Sequence, residues 1–253
     1  MSNQNPPILT ITNLHSYYGD SHILQGINLE IYPEEVVVLV GRHGVGKTTL
    51  LLSLMGINPP KQGSILFNNL ELLGLSSWKI VNLGLGLVPE GRRVFSDLTV
   101  AENLEVASKK DGTNTYSLAQ AYTDFPELNN LQFQLARNIS GGQQQMLAVA
   151  RTLIGNPQLL LMDEPTEGLA PVLVQRIQTV IKRLKSLGKT MLITGQNIAF
   201  ALELADRVYV LDGGKIRWHG KIETLRSDPD LLWQYLVLSS SQPSAFCYLK
   251  ANC

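Results

Sequence analysis

The chain has 253 residues, with 21 Lys+Arg balancing 21 Asp+Glu, 44% hydrophobic residues, 21 Gly and 12 Pro. Zero net charge gives no support to a nucleic-acid coat, and the apolar content is too high for disorder. No run approaches the roughly 18 apolar residues of a membrane-spanning helix, Met1–Asn5 lacks the features of a signal peptide, and the only cysteines are Cys247 and Cys253, so a soluble protein of a reducing cytoplasm is expected.

Short β-type runs alternate with helical patterns, which predicts an α/β fold around a largely parallel sheet. Residues 8–14 and 23–31 alternate apolar and polar side chains and read as strands with one buried face. Val36 to Val40 is a continuous β-branched and aliphatic run, the mark of a strand buried on both faces. It feeds a glycine-rich loop, Gly41 to Thr48, and the apolar stretch 49–55 reads as a helix.

Pro59, Pro60 and Gly63 mark a turn, and Ile65, Phe67, Leu70 and Leu72 suggest further strands. From Val100 to Ile154 the pattern turns helical, interrupted at Phe125-Pro126. Leu159 to Met162 returns to a buried strand, and 172–187 spaces its apolar residues as an amphipathic helix with Gly188 at its C-terminal end. Strands follow at 191–193 and 208–211, the second closing on an Asp212-Gly213-Gly214 turn. The polar tail 239–253 reads as loosely ordered.

Three motifs carry chemistry. Gly41-Arg42-His43-Gly44-Val45-Gly46-Lys47-Thr48 fits G-x-x-x-x-G-K-[ST] between a buried strand and a helix. Gly41, Gly44 and Gly46 let the backbone turn its N–H groups toward phosphate oxygens. Lys47 then reaches the β- and γ-phosphates and the Thr48 hydroxyl suits Mg²⁺. Leu159 to Met162 ends in Asp163-Glu164, which projects beyond the carboxyl end of a sheet strand, where ligands of doubly wound folds bind. Asp163 suits Mg²⁺ through its water shell, and Glu164 suits the general base that deprotonates an attacking water.

The third motif is Asn138-Ile139-Ser140-Gly141-Gly142-Gln143, with Ser140 as a helix N-cap and two glycines leaving backbone N–H groups open. That is a second anion-binding helix N-terminus. One nucleotide does not need both from a single chain, so a head-to-tail dimer is expected, in which each phosphate loop meets the other protomer's serine–glycine turn.

With these residues in order, the sequence resembles the ATP-binding cassette (ABC) ATPases over residues 8–238; Ile139 stands for the leucine of their Leu-Ser-Gly-Gly-Gln signature. The resemblance implies a P-loop NTPase core with a mostly parallel sheet, an antiparallel β subdomain and a helical signature subdomain. The implied division is 8–90 and 156–220 for the catalytic core with its β subdomain, 91–155 for the helical subdomain, and 221–238 for C-terminal helices. It implies ATP and Mg²⁺ as ligands. ATP would be held by Tyr18 on adenine, by the phosphate loop through Lys47, Thr48 and Thr49, and by Ser140, Gly141, Gly142 and Gln143 from the facing cassette. It also places residues 166–170 at the turn that contacts the partner.

Two positions depart from the general cassette pattern. Glu90 stands where most cassettes carry a glutamine that senses Mg²⁺ and the transporter. Gln196 stands where most carry a histidine; an amide can hydrogen-bond a γ-phosphate but cannot titrate. None of His15, His22, His43 and His219 takes that histidine's place by sequence position. Two further positions are also unusual: His43 replaces the usual Asn of the phosphate loop, and Gly195 a Glu that commonly precedes the Gln.

Pro89-Glu90-Gly91-Arg92-Arg93-Val94-Phe95 and Gln196-Asn197 are similar to the ATPases of branched-chain amino-acid importers, specifically the smaller of their two cassette subunits. Tyr17-Tyr18-Gly19 and Pro165-Thr166-Glu167-Gly168 are also similar to urea and short-chain amide importer ATPases, which stay open as the alternative. A non-transport cassette is disfavoured, since there is no heptad run and no basic bias. The implied partners are a second cassette or a second copy, transmembrane permease subunits, and indirectly a substrate-binding protein, at the cytoplasmic face of the inner membrane. Arg92, Arg93 and Phe95 are expected to face the permease. Trp233 is expected on a final helix, and Cys247 and Cys253 as unpaired tail thiols.

Overall fold

A computed structural model of the protein describes residues 6–108, 116–196 and 198–228. In chain order the elements are β1 (Leu9–Tyr18), β2 (Ser21–Ile31), β3 (Val36–Val40), α1 (Lys47–Leu54), β4 (Gln62–Phe67), β5 (Leu70–Glu71), α2 (Ser77–Asn82) and β6 (Leu85–Val88). Then follow α3 (Val100–Glu105), α4 (Leu118–Asp124), α5 (Pro126–Asn130), a 3₁₀ turn (Ala136–Asn138), α6 (Gly141–Ile154), β7 (Leu159–Met162) and α7 (Pro171–Ser186). The last are β8 (Thr190–Gly195), α8 (Ile198–Leu204), β9 (Arg207–Asp212), β10 (Lys215–Lys221) and α9 (Ile222–Ser227). The anticipated helix around Trp233, the tail with Cys247 and Cys253, and Asn197 lie outside the described residues.

Two sheets result. The larger has the strand order β10-β9-β3-β8-β7-β6, parallel throughout except for β10, which pairs antiparallel with β9. The smaller is antiparallel, in the order β2-β1-β4-β5. The continuous apolar runs are explained by the pleat, which sends successive side chains to opposite faces. Val36, Val38 and Val40 enter one core with Leu160, Met162, Met191 and Ile193, beneath α6, α7 and α8. Val37 and Leu39 enter the other with Leu159, Leu161 and Leu192, against α1 and the small sheet.

Helix α1 is wedged between the sheets by Leu50, Leu51 and Leu54, all fully buried. Each contributes about 1.5–3 kcal/mol by leaving water. This packing fixes the start of the helix, and so the phosphate loop, against the edge of β3.

The first strand runs on to Tyr18, beyond the anticipated end at residue 14. The pairing with β2 slips between Ile11 and Leu14, where Asn13 takes φ 47, and this bulge breaks the alternation by which the strand was read. The long helical stretch divides at three capping boxes, Thr99 with Glu102, Ser117 with Gln120 and Ser140 with Gln143. In each the hydroxyl and the longer side chain satisfy each other's backbone N–H, so each marks a new helix start.

Candidate nucleotide site

Four strands of the large sheet end side by side, and their order arranges the chemistry. The phosphate loop leaves β3, Gln196 leaves β8, Asp163 and Glu164 leave β7, and Pro89-Glu90 leaves β6, in the order β3-β8-β7-β6 across the sheet. The register is direct, with Val40 opposite Gly195, Ile193 opposite Met162 and Met162 opposite Val88.

In the loop, Gly46 has φ 113, and a Cβ there would press on Leu24; a Cβ on Gly41 would overlap the Leu211 carbonyl. Only glycine meets both demands. Lys47, 4% exposed, opens α1. Its Nζ donates to the carbonyls of Gly41 at 2.7 Å and Arg42 at 2.8 Å, and lies 2.9 Å from Glu164 Oε1.

Asp163 is 2% exposed. Burial pushes its carboxyl above the ordinary carboxylate range, opposed by hydrogen bonds from Thr194 and Thr48 and reinforced by the charges of Glu90 and Glu164. Thr48, Asp163 and Glu90 are thus one electrostatic group, all with the hard oxygen donors that suit Mg²⁺.

Glu164 sits at φ 45, a left-handed conformation costing about 1–3 kcal/mol for a residue with a side chain. Its N–H donates to Thr194 Oγ1 at 3.0 Å. Burial pushes its carboxyl up, but hydrogen bonds from Glu167, Lys47 and Gln196 together with the Lys47 charge outweigh this and hold it low. Glu167 is pushed up by its hydrogen bond to Glu164, by burial and by the neighbouring negative charge. The two carboxyls are thus pushed apart, Glu164 the more acidic and Glu167 the more easily protonated of the pair.

Gln196 uses its amide twice, donating to Glu164 Oε2 at 2.6 Å and to His43 Nε2 at 2.8 Å. His43 Nε2 also lies 3.2 Å from Glu167 Oε1. These side chains, with Thr166, Thr194 and Phe200, line an open cleft of about 350 Å³. No histidine stands at the sequence position of Gln196, but in the fold His43 approaches it. The loop and the β8 end are adjacent because β3 and β8 are neighbours, a pairing of strands far apart in sequence.

Tyr18, 49% exposed, stands at the β1 end before Gly19. Its neighbour Tyr17 is taken up in packing, stacked on His22 at 4.3 Å with Lys61 over its ring. Ser140 caps α6 as anticipated, accepting the Gln143 N–H at 3.3 Å while Gln143 Oε1 accepts the Ser140 N–H at 2.8 Å. Phe95 is half-exposed, its backbone clamped by buried Asn103 through two 2.9 Å hydrogen bonds. Arg92, however, turns inward, and its Nη2 donates to the Gly168 carbonyl at 3.1 Å.

Sequence reasoning missed Thr194, and placed His43 in the phosphate loop and Glu167 in the 166–170 turn without joining them to Glu164 and Gln196. Thr194 had one usable signal, its place at the carboxyl end of a strand beside the one carrying the acids.

A family model described as ABC transporter matches residues 24–167. The chain is 40% identical over 231 residues to the high-affinity branched-chain amino acid transport ATP-binding protein BraG of Pseudomonas aeruginosa, covering 90% of this chain and 99% of that one. It is 33% identical to the probable branched-chain amino acid transport ATP-binding protein LivF of Archaeoglobus fulgidus, over 86% of this chain and 94% of that one. Among solved structures, a nucleotide-free ATP-binding cassette from an ABC transporter superposes with a TM-score of 0.76 at 26% identity, over 90% of this chain and 98% of that chain.

Proposed function

Because the chain belongs to the ABC transporter family, we propose that it is the ATP-hydrolysing subunit of an importer of branched-chain or other hydrophobic amino acids. The observation that carries the ATPase reading is the convergence of Lys47, Thr48, Asp163, Glu164 and Gln196 at one sheet edge. The cargo is supported by relatives whose names specify branched-chain amino acid transport.

In this reading Lys47 and the loop N–H groups hold the phosphates. Thr48, Glu90 and Asp163 would hold Mg²⁺, which would supply neutralisation of phosphate charge when bound. Glu164 takes the proton of the attacking water. The ion pair gives this step its timing. When Lys47 turns to a phosphate, Glu164 loses a cation that stabilises its charge and becomes a stronger base. Gln196 keeps the carboxylate aimed through its 2.6 Å hydrogen bond. Tyr18 stacks on the adenine.

Two cassettes, identical or different, close head to tail with Ser140–Gln143 of each on the other's nucleotide. Hydrolysis releases them, and separate permease subunits move the cargo delivered by a binding protein. No helix among the described residues is long and apolar enough to cross a membrane, so the proposed placement is peripheral, at the cytoplasmic face. Reconstituting the complete complex in vesicles tests the cargo. Leucine-type amino acids with the binding protein should stimulate ATP hydrolysis; stimulation by urea instead would replace the amino-acid assignment.

A further inference from the structure

Arg92 is held in an unusual place by an unusual backbone. Gly91 has φ 82 and Arg92 φ 55, two successive left-handed residues, the second bearing a long side chain that disfavours this conformation. Arg92 is partly buried, between the exposed Gly91 and Arg93. Its guanidinium fills the space over Gly141, where a Cβ would overlap it, and reaches Gly168 through the 3.1 Å hydrogen bond.

That position is electrostatically wrong for a cation in the isolated chain. The first turn of a helix carries partial positive charge from its unpaired N–H groups, and α6 has 14 residues, ample to develop it. Among the described residues no ion pair includes Arg92; its one hydrogen bond goes to a neutral carbonyl. Two positive features converge and no ion pair among the described residues offsets them, and an anion placed there converts mutual repulsion into shared attraction.

We propose that Arg92 is a phosphate-binding residue acting across the dimer. Its guanidinium joins Ser140 and the N–H groups of α6 on the terminal phosphate of the triphosphate held by the facing cassette's phosphate loop. This rests on the head-to-tail reading above. The loop that begins at Glu90 thereby contributes to the nucleotide site of each partner, Glu90 beside its own protomer's acids and Arg92 beside the other's phosphate.

The test uses the full chain as Glu164→Gln, scored by ATP-driven dimerisation in light scattering, with ADP plus inorganic phosphate as a second arm. Adding Arg92→Ala should weaken the ATP dimer by about ten- to hundredfold, the worth of a charge-assisted hydrogen bond. Labelled-ATP affinity of the dilute monomer should stay within about twofold, as no cis contact is removed. Arg92→Lys keeps the charge and should recover part of the dimer. Arg92→Gln keeps only a neutral donor for Gly168 and should not.

Recovery by Gln as good as by Lys would reduce Arg92 to a structural tie and overturn the proposal. Equal dimerisation with ADP plus inorganic phosphate would overturn the assignment to a triphosphate. A Glu164→Gln chain that dimerises equally well with Arg92→Ala defeats the Arg92 proposal alone. One that stays monomeric in ATP, even with its partner cassette, removes the head-to-tail arrangement and this proposal with it.

Discussion

Lys47 and Glu164 form a 2.9 Å ion pair with side chains only 3% and 8% exposed. The residue proposed to hold the γ-phosphate and the one proposed to activate water neutralise each other. A triphosphate must break that pair to enter, and the exchange of partners couples binding to the basicity of Glu164.

Replacing Glu164 by Gln removes the base and the ion pair while keeping the shape. ATP binding should persist, because Lys47 no longer has a carboxylate to leave. Steady-state hydrolysis should fall at least about a hundredfold, at the lower end of what general acid–base catalysis contributes. Near-native turnover would exclude Glu164 as the base.

Asp163 carries a cost in stability. Its carboxyl is raised in the fold, chiefly by burial, so the protonated form is favoured relative to the unfolded chain. The stabilisation is complete below the unfolded pKa and is lost as pH rises through the higher folded one. Asp163→Asn should therefore raise Tm at pH 7 and lose that advantage toward pH 4, while abolishing Mg²⁺-dependent hydrolysis. Calorimetric scans across that range check it; a Tm advantage that does not grow with pH would contradict the assigned cause.

Thr194 is the joint between the two acids, donating to Asp163 Oδ1 at 2.7 Å and accepting the Glu164 N–H at 3.0 Å. Thr194→Val keeps the volume and strands both groups, so it should cost about 1–3 kcal/mol in denaturant unfolding and weaken Mg²⁺ binding. A variant as stable as the native chain would remove this role.

Gln196→Ala deletes a hydrogen bond that holds the Glu164 carboxyl low. The rate should drop about tenfold or more, and the acid limb of the pH–rate profile should move up as Glu164 becomes easier to protonate. An amide does not titrate. If native activity instead falls off at about pH 6.5 and Gln196→Ala abolishes that fall, the role of Gln196 as a non-titrating donor is wrong.

Ser140→Ala separates the two nucleotide contacts. It deletes the N-cap of α6, worth about 1 kcal/mol, and the hydroxyl offered to the facing nucleotide. Closure of the dimer should suffer while the isolated chain binds labelled ATP with native affinity. Loss of monomer binding would place Ser140 in its own protomer's site.

Much of this protein was determined along the chain itself. The β-branched run at 36–40, the glycines and lysine that follow, and the acids after residues 159–162 are local patterns, because the physics of a doubly buried strand and a tight anion-binding turn is local. So are the three capping boxes, which divide the helical stretch by hydrogen bonds spanning three residues. The family resemblance rests on these same short segments.

What tertiary structure alone decided is which of them touch. The strand order β3-β8-β7-β6 brings His43 to Gln196, Thr194 between Asp163 and Glu164, and Glu164 onto Lys47, although 153, 30 to 31 and 117 positions separate the partners. Arg92, the second of two successive left-handed residues, reaches Gly168 across 76 positions. No periodicity encodes such contacts. They arise when strands distant in sequence become neighbours, which the burial of both sheet faces enforces, and the carboxyl shifts of the site follow from that neighbourhood.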